Sequence, residues 1–426
     1  MKFRNLAVLL AATVLVALAL TAPRGWKATA ATLEVDDNNI QCPTATFASI
    51  QAAVDAAGPG DTIQVCAGIY NEDVNVPATL TGLTLNGAQA GTSVTGRTAG
   101  SPVESTVNGE VTIRATNVKM DGFSITHTES DSAVTAITVN GGADGAMIVN
   151  NILDTIVNTA TGNSTAQAIY LSNDGGTDGP DNVSILDNRM SNISSNRSAK
   201  GVLIGANGGT NPSVNTLIQG NSIQNVNSII SGAYGVSVAT STPGVTGLEI
   251  RDNDFNTLTS GGWVHAVGLE GNTPGAIVDG NDFTNLVNSN IDNVAVFFQS
   301  NPSFATVEVH NNNFNLTTAS FGIALHPALV ISHGSLGSVD GACNWWNSPT
   351  GPTAASNPGG TGTKVGSNVS YEPWLIAPAP GGACLGGNVP TNKNQCKNGG
   401  WMTSVRSDGS TFKNQGDCVS YTNNGK

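Results

Sequence analysis

Carboxylates recur beside an Asn-x-Phe repeat in this chain, and paired carboxylates are common equipment for general acid–base catalysis. The stretch LEIRDNDFNTL, residues 248–258, carries Asp252 and Asp254, and a later copy, AIVDGNDFTNL, carries Asp279 and Asp282. A second group mixes other chemistries. Aligned copy by copy, one column reads Asn140, Ser172, Gly205, Ala239, Glu270, Gln299 and His326, with His265 and Phe297 flanking it and Tyr170 and Tyr234 further along. A carboxylate, imidazoles, an amide and aromatic rings on one outward groove can hold a sugar chain and move protons. A third group, Asp174, Asp178 and Asp181 in the Gly-rich NDGGTDGPDN, offers the clustered oxygens that calcium prefers. Its spacing is not that of an EF-hand, and Asp-Gly is also ordinary turn chemistry.

What positions these residues is an internal repeat. Anchored on one Asn, the copies are AMIVNNIL (Asn151), VSILDNRM (Asn188), TLIQGNSI (Asn221), LEIRDNDF (Asn253), AIVDGNDF (Asn281), VEVHNNNF (Asn312) and VDGACNWW (Asn344). An earlier copy, VKMDGFSI, has Phe123 in the Asn slot. Steps between anchors run from 28 to 37 residues, so a common core is joined by loops of unequal length. A second apolar-alternating segment precedes most copies, and a third follows the Asn. Three short strands per coil, each with one face inward, predict an all-β parallel solenoid whose coils stack about 4.8 Å apart. Ile137, Ile169, Val202, Val236, Val267, Val296 and Ile323 then form one internal column, and Phe255, Phe283, Phe314 and Trp346 another. The repeated Asn is expected at the bend, in left-handed geometry, with its amide donating to the next coil as a ladder. Asp252, Asp254, Asp279 and Asp282 alternate with the inward Ile250 and Val278. They are expected at the surface or in the turn, as decoration on the repeat.

Composition agrees with a turn-rich β chain. Of 426 residues, 51 are Gly and 48 Asn, while charged residues are 11%. The N-terminus has the form of a cleaved export signal over residues 1–30: Lys2 and Arg4, an apolar run from Leu6 to Leu20, then Ala28-Thr29-Ala30. Its loss removes Lys2, Arg4, Arg24 and Lys27, taking the net charge from −13 to −17. So acidic a chain repels nucleic acid, and no basic stripe is present. The mature chain is expected to be extracellular or surface-located, with no membrane span. Six cysteines in an exported chain read as disulfides with 15 possible connectivities. Sequence neighbourhood favours Cys42 with Cys66, Cys343 with Cys384, and Cys396 with Cys418. Both ends of a solenoid need covers. Residues 46–57 have helical apolar spacing, with Thr46 as a cap and Gly58-Pro59-Gly60 as a stop, and are expected to supply the first.

The segment SIQAAVDAAGPGDTIQVCAGIYNEDVNV resembles the opening of the pectin-lyase-like superfamily of right-handed parallel β-helices. CNWWNSPTGPTAASNPGGTGTKVGSNVSYEPWL resembles the closing coil of secreted bacterial β-helix repeat proteins. With the repeats, the resemblance covers roughly residues 33–376. It implies a β-helix domain over 31–376 with a closing coil over 339–376. Residues 377–395, rich in Pro, Gly and Asn, read as a linker. CKNGGWMTSVRSDGSTFKNQGDCVSY is similar to a small tail module, placed at 396–426. Right-handedness follows from the resemblance and from the general rule for parallel crossovers. The resemblance also implies catalytic patterns: paired aspartates with an arginine, clustered aspartates, or calcium with a basic residue. No Asp-Asp pair with a neighbouring Arg appears on one strand, and the sequence has no Gly-His-Gly or Arg-x-Lys element, so no catalytic residue transfers. Two functions are therefore expected to compete. One is a secreted protein that binds, or processes, an extracellular polysaccharide along the groove; the other is a non-catalytic surface or matrix protein with a structural or adhesive face.

Overall fold

The computed structural model describes residues 30–423 except 174–177, 206–210, 241–243, 289–292, 318 and 328–336. The expected export signal over residues 1–30 therefore lies, apart from Ala30, outside the described residues. Three parallel sheets of 12, 11 and 9 strands wind around one continuous core. In each sheet the neighbours are strands from successive coils, which is the topology of a parallel β-solenoid. The first sheet runs from Thr32–Val35 to Val369–Ser370 and contains the short strands just before the repeated Asn. The third contains the strands just after it. The second sheet carries the strands of interest: Thr165–Ser172, Ser198–Ile204, Gly232–Val238, Trp263–Leu269, Asn293–Phe298 and Phe321–Leu325.

Alternation determines what lies inside. Ile137, Ile169, Val202, Val236, Val267, Val296 and Ile323 pair in register and are fully buried. Phe255, Phe283, Phe314 and Trp346 form a ring stack with centroid spacings of 5.0, 5.5 and 4.9 Å. Opposite that stack runs a column of small residues: Ala136, Ala168, Gly201, Gly235, Ala266, Ala295 and Gly322. Each is skipped in the pairing, so two consecutive residues of the strand turn inward. A Cβ on Gly235 would stand 2.4 Å from Phe255 Cδ1, which leaves no room for a side chain. The large rings of one wall thus require small residues on the facing wall.

The Asn ladder is present and buried. The backbone N–H and Nδ2 of Asn253 both donate to Oδ1 of Asn281, at 2.9 and 3.0 Å, and Asn151, Asn188, Asn221, Asn281 and Asn312 repeat the pattern up to Asn344. The left-handed backbone expected of these residues belongs instead to the residue before each: Asn150, Asp187, Gly220, Asp252, Gly280, Asn311 and Cys343, with φ between 53° and 71°. The reason is a division of labour. The preceding residue turns the chain, and the ladder Asn then points inward and satisfies the buried amides of the corner. A second left-handed column, Thr155, Asn192, Asn225, Thr257 and Asn285, bends the strands of the third sheet.

The N-terminal helix spans Ile50–Ala56 and is shorter than the 46–57 expected. Ser49 caps it in place of Thr46, and Phe47 is taken into a bridge with Val35 of the first strand. Glu72 accepts from the N–H groups of Ile50 and Gln51, a favourable place for negative charge. All six cysteines are bonded, as Cys42–Cys66, Cys343–Cys384 and Cys396–Cys418. At the far end Trp346 closes the ring stack beneath Tyr371 and Trp374. The stretch read as a linker holds to the solenoid: Trp374–Leu375 pairs with Cys384–Gly386, and Ala379 N–H donates to Asn313 Oδ1 at 2.8 Å. The tail packs on its own small core of Cys396, Phe412 and Cys418.

Candidate functional site

The outward face of the second sheet concentrates the chemistry. Register fixes its columns. Counting two residues back from each inward aliphatic gives Gln167, Lys200, Tyr234 and His265, paired coil to coil. One residue after the aliphatic come Tyr170, Leu203, Ser237, Gly268 and Phe297. Glu270, Gln299 and His326 follow the last paired residues of their strands.

The structure brings most of the expected residues together. Tyr234 Oη donates to Glu270 Oε1 at 3.0 Å and accepts from Trp263 Nε1 at 2.7 Å. His265 Nδ1 lies 3.6 Å from the same Glu270 oxygen. The His265 ring is buried and stacks on Phe297, with centroids 3.8 Å apart, and Phe297 in turn meets His326 edge-on at 6.4 Å. His326 and Gln299 are exposed at the margin of this cluster. The result is a strip of rings running across successive coils, anchored by one carboxylate.

The depression itself lies a coil or two earlier than that column. It has a volume of about 430 Å³, and its walls include Gln167, Tyr170, Lys200, Leu203, Tyr234 and Glu270. Lys200 is the residue that the sequence reading missed. Its Nζ donates to Ser198 Oγ at 2.7 Å and stands 5.5 Å from the centre of the Tyr234 ring. Burial lowers its pKa to about 8, an effect partly offset by the negative charge of Glu270. The signal was available in SAKGVLI, GAYGVSV and WVHAVGL, where Lys200, Tyr234 and His265 share one position ahead of the inward valine.

The acids at the Asn corner are tied to neighbouring coils, and Asp252, Asp279 and Asp282 also line a second depression of about 430 Å³ with Asn311, Asn313 and Ala379. Asp252 accepts from Gln219 Nε2 at 3.0 Å, Asp279 from Asn311 Nδ2 at 2.8 Å and Asp282 from Asn313 Nδ2 at 2.7 Å, while Arg251 bridges Glu249 and Asp279. Asp254 faces Asp282 in register. Although Asp254 is exposed, partial desolvation first, and then that neighbour, holds its carboxyl above the usual range. Of the acids considered for calcium, Asp174 lies outside the described residues. Asp181 accepts the N–H of Val214 at 2.7 Å, and its own N–H donates to Asp144 Oδ1 at 2.9 Å. Its pKa is raised, chiefly by burial and further by Asp144 and Asp178. Among the described residues no group of three or more His, Cys, Asp or Glu is placed to hold a metal ion.

No family model and no curated protein matches the chain. Among solved structures it is similar to the pectin methylesterase from Aspergillus niger in deglycosylated form, at 14% identity and a TM-score of 0.35, over 69% of this chain and 80% of that one. It is also similar to a rhamnogalacturonan lyase, at 12% identity and a TM-score of 0.29, over 89% of this chain and 94% of that one. A third likeness is to ORF18 of Geobacillus virus E2, at 10% identity and a TM-score of 0.25, over 88% of this chain and 63% of that one. Likenesses this distant carry no argument about activity; the side chains of the chain itself must supply it.

Proposed function

We propose that the chain is an exported protein that binds an extracellular polysaccharide on the outward face of the second sheet. The observation that carries this reading is the composition of the depression. Tyr170 offers half-buried ring surface beside the buried Tyr234, while Gln167, Lys200, Ser237 and Glu270 set donors and acceptors into the walls of the same open hollow. Apolar rings with a few fixed polar groups are the usual make-up of a small-molecule or oligomer site. A sugar ring, with one C–H face and a rim of hydroxyls, suits both halves of it. Export is supported by the form of residues 1–30 and by three disulfides, which persist in oxidising compartments. Among the described residues no helix is long and apolar enough to cross a membrane.

An array of plant and microbial polysaccharides, probed with residues 31–426, tests the proposal. Retention on at least one polysaccharide class is the expected result. Retention on none overturns the proposal and favours the spacer or adhesive role for the solenoid.

A further inference from the structure

The groups around Lys200 suggest a second chemistry in the same depression, one that does not depend on glycan binding. A lysine on a β-solenoid would ordinarily extend its ammonium into water. Lys200 instead is half-buried in the wall of the hollow, with its amine held between Ser198 Oγ and the face of the Tyr234 ring. Among the described residues it makes no ion pair. The carboxylate that acts on it, Glu270, is engaged by Tyr234 Oη and lies beside His265. The titratable groups lining or adjoining the hollow are therefore Tyr170 and Tyr234 from neighbouring strands, His265, and Glu270. An amine in such surroundings is a nucleophile near neutral pH, because desolvation favours its uncharged form.

We propose that Lys200 is a reactive amine that captures small aldehydes and ketones in this depression as imines. The lone pair of the neutral Nζ attacks the carbonyl carbon, and a proton moves from nitrogen to oxygen to give a carbinolamine. Protonation of the hydroxyl from the Tyr234–Glu270 pair lets it leave as water. The resulting iminium returns a proton to the pair and becomes the imine. Amine and carbonyl are consumed and imine and water formed, with no oxidant or reductant required. The hollow is large enough for a compound of a few carbons and open enough for it to enter.

Glycolaldehyde with sodium cyanoborohydride, which reduces an imine to a stable secondary amine, reads this out by peptide mass spectrometry. The comparison is made within one folded protein, between Lys200 and the surface lysines Lys393 and Lys397. At pH 7.5 Lys200 is expected to label on the order of ten-fold faster, since its free-amine fraction far exceeds that of a lysine with a pKa of ~10.4. Lys200→Arg removes the adduct while leaving labelling of Lys393 and Lys397 unchanged. Labelling of Lys200 at or below the rate of the surface lysines overturns the proposal. Glycan retention without this adduct would leave the polysaccharide reading standing alone, and the adduct without glycan retention would leave only this one.

Discussion

At Lys200, Tyr234 and Glu270, charge and ring surface meet on the outside of a solenoid: Tyr234 Oη donates to Glu270, and the Lys200 amine stands 5.5 Å from the centre of the Tyr234 ring. Two strands and the residue after a third contribute, one residue from each coil, so the constellation exists only because the coils are in register. The acids at the Asn corner illustrate the opposite case. Asp254 and Asp282 stack in register because the repeat puts the same position over itself, and the pKa of Asp254 is raised by desolvation first and by Asp282 second. Since folded Asp254 holds its proton more readily than the unfolded residue, stability falls as pH rises through and above the ordinary carboxyl range. Asp254→Asn is therefore expected to raise Tm at pH 7 and to leave it unchanged near pH 3, where both states are protonated. Thermal melts of the two proteins at those pH values check this, and equal Tm values at pH 7 would contradict it.

The element that makes such stacking possible is the corner. Each ladder Asn from Asn188 to Asn312 accepts two donors from the coil before it and donates to buried carbonyls and to the coil after it. Removing the Asn253 amide leaves the buried N–H of Asn221 without its acceptor and takes a donor from the carbonyl of Ile218, while Asn221 Nδ2 keeps the carbonyls of Ile185 and Gln219. Asn253→Ala is expected to lower stability by about 1–3 kcal/mol, the cost of a buried N–H losing its acceptor. Chemical denaturation provides the measurement; a loss below ~0.5 kcal/mol would mean that the ladder is redundant. The repeat itself was legible because strand alternation and a fixed Asn mark every coil. The exact turn was not. Asn and Asp stand at both the ladder position and the left-handed position, as in Asn150-Asn151 and Asp252-Asn253, and composition cannot say which of the two turns the chain. The helix start was misplaced for a comparable reason. Thr46 and Ser49 can both cap, and the choice was made by Phe47 pairing with Val35, a tertiary contact without a local signature.

For the molecule as described, three sheets around one continuous core give a frame on which a face extends along the stacking axis. The candidate site was partly visible from sequence. Glu270, His265, Phe297 and Tyr234 emerged from aligning the coils, and the structure joins them through direct contacts. Lys200 shares the column of Tyr234 and His265, but nothing local in its sequence marks a lysine whose amine turns into the wall rather than into water. The placement of Tyr170 and Tyr234 on opposite walls, with Lys200 between, follows from register alone. The central claim is that this face is the binding surface. Isothermal titration of a polysaccharide retained on the array, against the wild-type chain and the Tyr170→Ala/Tyr234→Ala pair, tests it most directly. At least a ten-fold loss of affinity, with Tm shown to stay close to wild type, is the predicted result; binding of undiminished strength by the double variant would contradict it.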